Sequence, residues 1–431
     1  MKKYFIKTFG CQANINDGER IVKKLENIGY QETLKMEGAG LIVFNMCSVR
    51  QSAVDRIHGK IKDFRKIRKE NQNTKTLLTG CILKKDLKKF ASHFDYILSI
   101  KSLPYWQSFL KKQKHFHYPD QTKRKENIGY FKIKAKNFND LCSLIPVSTG
   151  CNNFCSYCVV PYTRGPEICR SHKEILKEIK ESLKKGVKEV WLLGQNVNSY
   201  KSPENLKINF PKLLEMANGI PGDFWIRFTS PHPKDFSNEL IEVMNKCEKV
   251  TDYLNLPMQS GDNKILKKMN RSYTVEKYRK LVEKIRKKIP NITLSTDVIV
   301  GFSGENNKNF ENTVKLFKEI KFDMAYISQY SPRPGISIKM QDNIPKKEKE
   351  KREKILTKIL KQTALEKNKR HIGKEIRMLP SNWKKGYLLG KSFNYKTVKI
   401  KGSKKHLGKF LKVKIIKAGE WGLFGKIQNE K

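Results

Sequence analysis

The sequence has no apolar run that approaches the ~20 residues needed to span a bilayer. Its opening, MKKYFIKTFG, is basic but reaches Gly10 and polar residues too early for the apolar core of a secretory signal peptide. These two absences predict a cytoplasmic protein with no membrane partner. In a reducing compartment, nine cysteines favour free thiols, metal ligands or catalytic groups over a disulfide framework.

Acidic residues are also scarce, because 42 Asp and Glu stand against 89 Lys and Arg, which gives a formal net charge of +47. A field of this sign attracts polyanions, and nucleic acid is the obvious partner. Lysine-rich helix faces such as KKEKEKREKILTKILKQ can instead be solvated charge with no partner. Charge therefore supports RNA binding only in combination with sequence motifs.

No second CxxC accompanies the run TGCNNFCSYCVVPYTRG, which contains Cys151, Cys155 and Cys158. Closed structural zinc sites take four ligands, commonly as two facing pairs, whereas this motif supplies three thiolates. Thiolates select zinc or iron-sulfur clusters, and three thiolates on a 4Fe-4S cluster leave one iron open to chelate a small molecule. The alternatives are that the motif forms a zinc knuckle or that its spacing arose by chance.

The motif CxxxCxxC with an aromatic residue, Tyr157, before its last cysteine resembles the signature of radical S-adenosylmethionine (SAM) enzymes. The longer run CSYCVVPYTRG, with CSVRQSA and GQNVN elsewhere, resembles the methylthiotransferases of the MiaB type. The resemblance implies that Cys151, Cys155 and Cys158 ligate a 4Fe-4S cluster that binds SAM, and that Tyr157 packs near the adenine of that cofactor.

Three further cysteines each follow a strand candidate: Cys11 in FGCQAN, Cys47 in FNMCSVR and Cys81 in TGCILK. Strand and helix patterns alternate up to about residue 115, which predicts a parallel sheet in a flavodoxin-like α/β layer. Ligands of such sheets bind at the carboxyl edge of the strands, so these cysteines should converge. One such cysteine alone would more often be a buried small hydrophobe. The resemblance implies that the three hold a second, auxiliary 4Fe-4S cluster that provides or carries sulfur.

Six strand candidates, from LIPVSTG to MAYISQYSP, alternate with helical patterns and predict a partial (β/α)6 radical SAM barrel with its chemistry at the carboxyl ends of the strands. Five short strands near the C-terminus predict a small β-barrel of the oligonucleotide-binding type, which resembles a TRAM domain. A generic all-β tail is the alternative. The predicted domains are residues 1–118, the auxiliary-cluster domain, residues 137–367, the radical SAM core, and residues 370–431, the RNA-binding TRAM domain.

The resemblance also implies weaker cofactor contacts on the loops after the second and fifth barrel strands. These are Gln195 and Asn196 in GQNVN, and Gly301 and Glu305 in VIVGFSGE. The family usually has proline where Ser303 stands, and ordinary turn chemistry is the alternative reading of both loops.

Two arginines near the cysteine motif, Arg164 and Arg170, are candidates for contacts with RNA phosphates. A structural carboxylate partner is an equally good reading of Arg164. The remaining thiols, Cys142, Cys169 and Cys247, have no partners at ligand spacing and are predicted to be structural.

The resemblance implies an enzyme that adds a methylthio group to carbon 2 of isopentenylated adenosine 37 in tRNA. One SAM molecule would methylate cluster-bound sulfur and another would yield the radical that abstracts hydrogen. Chemistry on a base requires it to leave its stack, so the expected partner is the anticodon stem-loop, bound by a monomer. Sibling enzymes modify threonylcarbamoyladenosine in tRNA or a ribosomal-protein aspartate, and a zinc-stabilised, non-catalytic RNA-binding protein is the alternative of another class.

Overall fold

The computed structural model describes residues 2–49, 51–111, 116–117, 129–137, 139–333, 336 and 341–428, and part of the segment between the predicted domains 1–118 and 137–367 lies outside these ranges. Its strands are β1 Lys2–Thr8, β2 Tyr30–Glu32, β3 Leu41–Cys47, β4 Lys75–Cys81, β5 Tyr96–Ile97, β6 Phe116–His117, β7 Cys142–Pro146, β8 Ser148–Thr149, β9 Ile168–Cys169, β10 Glu189–Leu193, β11 Trp225–Phe228, β12 Tyr253–Asn255, β13 Thr293–Val300, β14 Met324–Gln329, β15 Glu375–Lys384, β16 Tyr387–Ser392, β17 Thr397–Lys401, β18 Leu411–Ala418 and β19 Leu423–Ile427.

The α-helices are Gln12–Asn27, Gln51–Glu70, Lys84–Phe90, Trp106–Lys111, Val160–Thr163, His172–Lys184, Phe210–Asn218, Asn238–Lys246, Asn263–Lys268, Val275–Lys288, Asn307–Ile320 and Lys346–Lys369. Short 3-10 turns span Ile100–Tyr105, Val197–Ser199, Pro233–Asp235 and Lys404–His406. Within the described part of the chain, we find no helix that combines the length and apolar character needed to cross a membrane.

The first six strands form one parallel sheet in the order β2-β1-β3-β4-β5-β6. Strand β3, with the sequence LIVFNMC, is buried along its whole length, as expected for a central parallel strand covered on both faces. The helix Gln12–Asn27 packs into one apolar cluster and the helix Gln51–Glu70 into another. The first five strands follow the flavodoxin-like order, so that prediction is confirmed, and the order reverses between β1 and β3.

Six later strands form the predicted partial barrel. β7, β10 and β11 make one parallel sheet, and β12, β13 and β14 make a second. A parallel bridge between Ile226 and Val250 joins the two sheets into one arc. The intervening helices pack against the arc in a single large apolar cluster. The cysteine motif that begins at Cys151 follows the first strand of this arc, at its carboxyl end.

The last five strands close into a small barrel in the order β15-β16-β17-β19-β18. Neighbouring strands are antiparallel except for the parallel pair β17 and β19. The barrel has its own apolar core, built from residues such as Met378, Val398 and Val413. The prediction of a small β-barrel in the C-terminal sixty residues is confirmed.

The turn between β16 and β17 places Tyr395 at the base of the partial barrel, away from the cysteine motif. The ring centroid of Tyr395 lies 4.4 Å from that of Tyr253 and 5.3 Å from that of Trp191. The Arg227 guanidinium lies 4.9 Å from the centre of the Tyr395 ring. The small barrel is therefore packed into the partial barrel and is not a loosely attached appendage.

Replacing Tyr395 with Ala should lower the free energy of unfolding by about 2–4 kcal/mol, because it removes a ring packed against two aromatic side chains and a guanidinium. Chemical denaturation followed by circular dichroism measures this change. The matched control is Tyr387→Ala in β16, where the side chain is 43% exposed and the cost should stay below about 1 kcal/mol. Equal losses from the two substitutions would rule out the packed role of Tyr395.

Candidate metal centres and active site

Cys11, Cys47 and Cys81 lie together beside the point where the strand order of the N-terminal sheet reverses. Cys47 and Cys81 end neighbouring strands and are register partners, and Cys11 is the N-cap residue of the helix Gln12–Asn27. The Oδ1 atom of Asn14 lies 3.6 Å from Sγ of Cys11 and 3.7 Å from Sγ of Cys81. The structure thus brings together three cysteines that are far apart in sequence.

Two glycines allow the backbone to approach closely at this triad. Gly80 has φ +108°, and a Cβ atom there would lie 2.2 Å from the carbonyl oxygen of Met46. At Gly10, with φ +149°, a Cβ atom would lie 2.8 Å from Cβ of Cys47. Both positions therefore need a residue without a side chain, and a larger residue at either would push apart the turns that carry the cysteines.

Mutual hydrogen bonds and a nearby arginine control the ionisation of this triad. The hydrogen bond with Cys47 lowers the pKa of Cys11 to about 6, and the positive charge of Arg164 acts in the same direction. The pKa of Cys81 is lowered chiefly by its hydrogen bond with Cys47, with help from Arg164. The pKa of Cys47 is raised by its hydrogen bonds with the other two thiols. Thiolate is the form that binds metal, and the shifts at Cys11 and Cys81 are in the direction that favours it.

The second triad, Cys151, Cys155 and Cys158, occupies the loop before the helix Val160–Thr163. Each sulfur has an N–H donor nearby: Asn153 Nδ2 lies 3.5 Å from Cys151 Sγ, Arg271 Nη1 lies 3.6 Å from Cys155 Sγ, and the backbone N of Val160 lies 3.5 Å from Cys158 Sγ. Such donors stabilise thiolate ligands and tune the metal they hold. Burial raises the pKa of the Cys158 thiol to about 12, so a bound cation is the partner that would favour its thiolate.

Each triad offers three thiols, the number that the sequence predicts for a 4Fe-4S cluster with one open iron. Within the described residues, no group of three His, Cys, Asp or Glu side chains meets the geometry of a site for one metal ion. The N–H donors beside Cys151, Cys155 and Cys158 are of the kind that stabilises cluster thiolates.

A cavity of about 470 Å³ lies between the two triads. Tyr157 and Cys158 line it on the side of the partial barrel, and Val49 and Gln51, which closely follow Cys47, line it on the other side. Its remaining lining residues are Ser52, Gln259, Asp297, Val298, Ile299, Tyr326, Ser328, Gln329, Tyr330, Ser331, Arg333 and Glu353. Its volume is in the range of small-molecule sites. Another cavity, lined by the lysines of the helix Val275–Lys288, has no cysteine in its lining.

Gln195 and Asn196 follow the second barrel strand, as predicted, but have different surroundings. The Oε1 atom of Gln195 accepts a hydrogen bond from the backbone N of Gly150 at 2.7 Å, which fixes the residue just before Cys151. Asn196 is buried and donates to Asp235 Oδ2 at 2.7 Å, while its Oδ1 has no hydrogen-bond partner among the described residues. A buried acceptor without a partner calls for a donor, so Asn196 is the better placed of the two to bind a cofactor.

Gly301 and Glu305 shape the loop after the fifth barrel strand. The backbone N of Gly301, which has φ +67°, donates to Glu305 Oε2 at 2.6 Å. Arg352 in the long helix Lys346–Lys369 donates to the same oxygen at 2.7 Å, and Glu305 is fully buried. Neither residue lines the cavity between the triads. Their direct contact with a cofactor stays a prediction, and their observed contacts anchor the loop to the long helix.

Arg164 and Arg170 are each 5% exposed, so neither is placed to contact an RNA phosphate. Arg164 forms an ion pair with Asp17 and donates through Nε to Cys81 Sγ at 3.0 Å. Arg170 pairs with Glu178 at 2.6 Å. These contacts correct the phosphate prediction, because both guanidiniums are already paired inside the protein. A structural carboxylate, the alternative left open for Arg164, is the partner observed.

Sequence reasoning missed two further arginines at the site. Arg271 lies in the run MNRSYT and places its guanidinium beside Cys155. Arg333 follows the last barrel strand and donates to Gln51 Oε1 at 2.7 Å and to the carbonyl oxygen of Val49 at 2.9 Å. Both are buried. Their roles depend on contacts between distant segments, and no local pattern in the sequence indicates them.

Comparisons with known proteins agree with the geometry of the site. Residues 145–317 match the Radical SAM superfamily, and residues 3–100 match a family described as Uncharacterized protein family UPF0004. A relative from Clostridium novyi (strain NT) named tRNA-2-methylthio-N(6)-dimethylallyladenosine synthase is 38% identical, over 99% of this chain and 96% of its own length. A relative of the same name from Caldicellulosiruptor saccharolyticus is 38% identical, over 99% of this chain and 92% of its own length.

The chain belongs to the tRNA-2-methylthio-N(6)-dimethylallyladenosine synthase family. Membership makes it a radical SAM enzyme, for which the superfamily implies SAM and a 4Fe-4S cluster. The three thiols of the CxxxCxxC loop and their N–H donors supply the ligands that such a cluster takes. The family assignment from CSYCVVPYTRG is confirmed.

Solved structures show the same fold at low sequence identity. The radical SAM methyltransferase TsrM from Kitasatospora setae, solved with cobalamin and a [4Fe-4S] cluster, has a TM-score of 0.54 and 13% identity and covers 79% of this chain and 78% of its own. The cobalamin-dependent radical enzyme OxsB has a TM-score of 0.52 and 12% identity and covers 84% of this chain and 55% of its own. At such identities, the likeness of this synthase-family chain to them concerns the fold alone.

Proposed function

We propose that this chain adds a methylthio group to carbon 2 of isopentenylated adenosine 37 in tRNA, using SAM and two 4Fe-4S clusters. The observation that carries the proposal is the cavity between the two cysteine triads, because one space touches the radical motif at Cys158 and the loop after Cys47. A substrate in that cavity would contact the radical motif and the segment that follows Cys47. The names of the full-length relatives supply the substrate.

In this proposal, Cys151, Cys155 and Cys158 hold the radical cluster and Cys11, Cys47 and Cys81 hold the auxiliary cluster. When bound, the clusters and SAM supply the radical and the methylated sulfur. The protein binds and orients the cofactor and the substrate, and it excludes water from the site. Gln195 fixes the backbone beside Cys151, and Asn196 retains an acceptor for the cofactor.

The substrate side of the cavity is formed where the N-terminal sheet meets the last barrel strand. Arg333 ties the backbone of Val49 and the side chain of Gln51 to that strand. Tyr326 and Tyr330 line the same wall, and aromatic rings are the usual platforms for bases turned out of an RNA loop. The wall therefore suits a flipped purine that carries an apolar isopentenyl group.

The small C-terminal barrel supplies a surface suited to RNA. Its Trp421 is 55% exposed and its Phe424 38% exposed. Lys399 lies over the Tyr387 ring at 4.2 Å, and Lys404 lies over the Trp383 ring at 4.9 Å. Exposed rings interleaved with lysines favour binding of single-stranded nucleic acid, and an anticodon loop is a single-stranded segment. We expect the tRNA to bind a monomer of this protein in the cytoplasm.

Mass spectrometry of tRNA nucleosides tests the proposal. In cells that lack the gene, 2-methylthio-isopentenyladenosine should disappear and isopentenyladenosine should accumulate, and the wild-type gene should restore the methylthio form. Unchanged 2-methylthio-isopentenyladenosine would refute the assignment. Loss of the methylthio form of threonylcarbamoyladenosine instead would support the sibling function, which the names of the relatives do not favour.

A further inference from the structure

We infer that Arg164 is a positioning residue that joins the two cysteine triads and raises the reduction potential of the cluster held by Cys11, Cys47 and Cys81. The inference rests on the proposed function in one respect, since it requires that this triad hold a cluster. The sequence left a phosphate contact and a structural carboxylate equally open for Arg164, and the structure places the residue between the two triads.

The backbone of Arg164 belongs to the radical motif. Its N–H donates to the carbonyl oxygen of Val160 at 2.8 Å, which ends the short helix after Cys158. The next residue, Gly165, accepts a hydrogen bond from the backbone N of Cys151 at 3.1 Å. Any displacement of Arg164 is therefore transmitted directly to the loop that carries the radical triad.

The side chain of Arg164 belongs to the other triad. Its Nε donates to Cys81 Sγ at 3.0 Å, and its Nη2 lies 3.5 Å from Asn14 Oδ1 and forms an ion pair with Asp17. The Asp17 carboxylate is held in turn by a hydrogen bond from Tyr130. A continuous series of contacts therefore runs from the backbone of Cys151 through Arg164 to the sulfur of Cys81.

Burial of the charged side chain explains why residue 164 is an arginine and not a lysine. Its side chain is 6% exposed and that of Asp17 is 1% exposed, and burial of a guanidinium is tolerated only when a charge partner and hydrogen bonds compensate it. The planar guanidinium can donate to a carboxylate and to a sulfur at the same time, which the point charge of lysine cannot do with the same geometry. The arrangement fixes one N–H group on the ligand sulfur.

A cation that donates to a ligand sulfur stabilises the reduced cluster, which carries one more negative charge. Hydrogen bonds to the sulfurs and local charge are among the determinants of cluster potential. Arg164 should therefore make the potential of the auxiliary cluster less negative. Arg271 contacts Cys155 at 3.6 Å in the other triad, so the chain offers a matched control whose effect should be confined to the radical cluster.

The experiment uses full-length protein in which Cys151, Cys155 and Cys158 are all replaced by Ala, so that only the auxiliary cluster is reconstituted. Arg164→Lys and the double change Arg164→Gln with Asp17→Asn are made in this background, and the double change removes both members of the ion pair so that no buried charge is left alone. Iron per chain is measured first, and the midpoint potential is then determined by titration monitored by electron paramagnetic resonance.

Because the double change removes the negative charge of Asp17 together with the positive charge of Arg164, its effect reports the loss of the N–H donor to Cys81 Sγ. The double change should make the potential more negative, Arg164→Lys should give a smaller shift, and Arg271→Gln should give none. Loss of iron from an Arg164 variant that keeps its circular dichroism spectrum would also support the positioning role. An unchanged potential in the double variant would overturn the inference and leave the proposed function intact. Absence of iron in the background protein itself would overturn the auxiliary cluster, and with it both the inference and the two-cluster form of the proposed function.

Discussion

Replacing Cys151 with Ala should abolish the cleavage of SAM to deoxyadenosine. It should also remove about half of the iron, from about eight to about four atoms per chain, because two 4Fe-4S clusters are expected and one loses a ligand. Cys151 is buried in a loop that is tied to Gly165 and Gln195 through backbone groups, so the fold should tolerate the loss of one sulfur atom. Anaerobic reconstitution, iron analysis and chromatography of deoxyadenosine measure both effects.

The matched control for this substitution is Cys247→Ala. Cys247 is a buried thiol in the apolar cluster of the radical SAM barrel and is bonded to neither triad. Its iron content and deoxyadenosine yield should equal those of the wild-type protein. If Cys151→Ala kept wild-type iron, or kept cleaving SAM, the assignment of the radical triad would be wrong.

Replacing Cys11 with Ala should separate the two halves of the reaction. The variant should again lose about half of the iron, keep producing deoxyadenosine, and form no methylthio product, because the radical triad is untouched while the triad proposed to carry the sulfur has lost a ligand. Cys11 is exposed and its side chain makes no capping hydrogen bond to the helix it begins, so the substitution should cost little stability. Analysis of iron, deoxyadenosine and RNA nucleosides in one reaction gives all three results.

Two outcomes would contradict this second prediction. Loss of all iron from Cys11→Ala would mean that the six cysteines form one interdependent site. Full methylthio product would mean that Cys11 is not needed to hold the sulfur donor, and Asn14, which contacts both Cys11 and Cys81, would be the next residue to test.

The convergence of Cys11, Cys47 and Cys81 could be predicted from the sequence because each cysteine follows a predicted parallel strand. Cysteines that follow parallel strands lie at the same sheet edge, and register pairing of Cys47 with Cys81 shows that this rule applies here. The same logic located the cysteine motif after the first barrel strand. Both predictions needed only the order of strands and helices along the chain.

Other features could not be predicted because they depend on contacts between distant segments. Arg164 and Cys81 are 83 residues apart, and Arg227 and Phe393 are 166 apart. No local pattern encodes such pairs, and a basic residue in a loop is more often exposed. The sequence therefore left a phosphate contact and a structural carboxylate equally open for Arg164, and the structure buries its side chain against the Asp17 carboxylate and the Cys81 thiol.

The start of the first helix also lacks a local signal. The helix begins at Gln12. Its N-cap residue is Cys11, which provides no side-chain acceptor for the free N–H groups, so the usual start signal is missing. Cys11, the N-cap residue that makes no capping hydrogen bond, is the residue proposed to bind the auxiliary cluster.

The most direct test of the central claim is a nucleoside analysis of one reaction. Anaerobically reconstituted protein is incubated with SAM, a reductant and an isopentenylated anticodon stem-loop RNA, and the digested RNA is analysed by mass spectrometry. We predict 2-methylthio-isopentenyladenosine, formed together with deoxyadenosine and absent with the Cys11→Ala variant. Unmodified isopentenyladenosine in a reaction that contains the reconstituted two-cluster protein and produces deoxyadenosine would contradict the account.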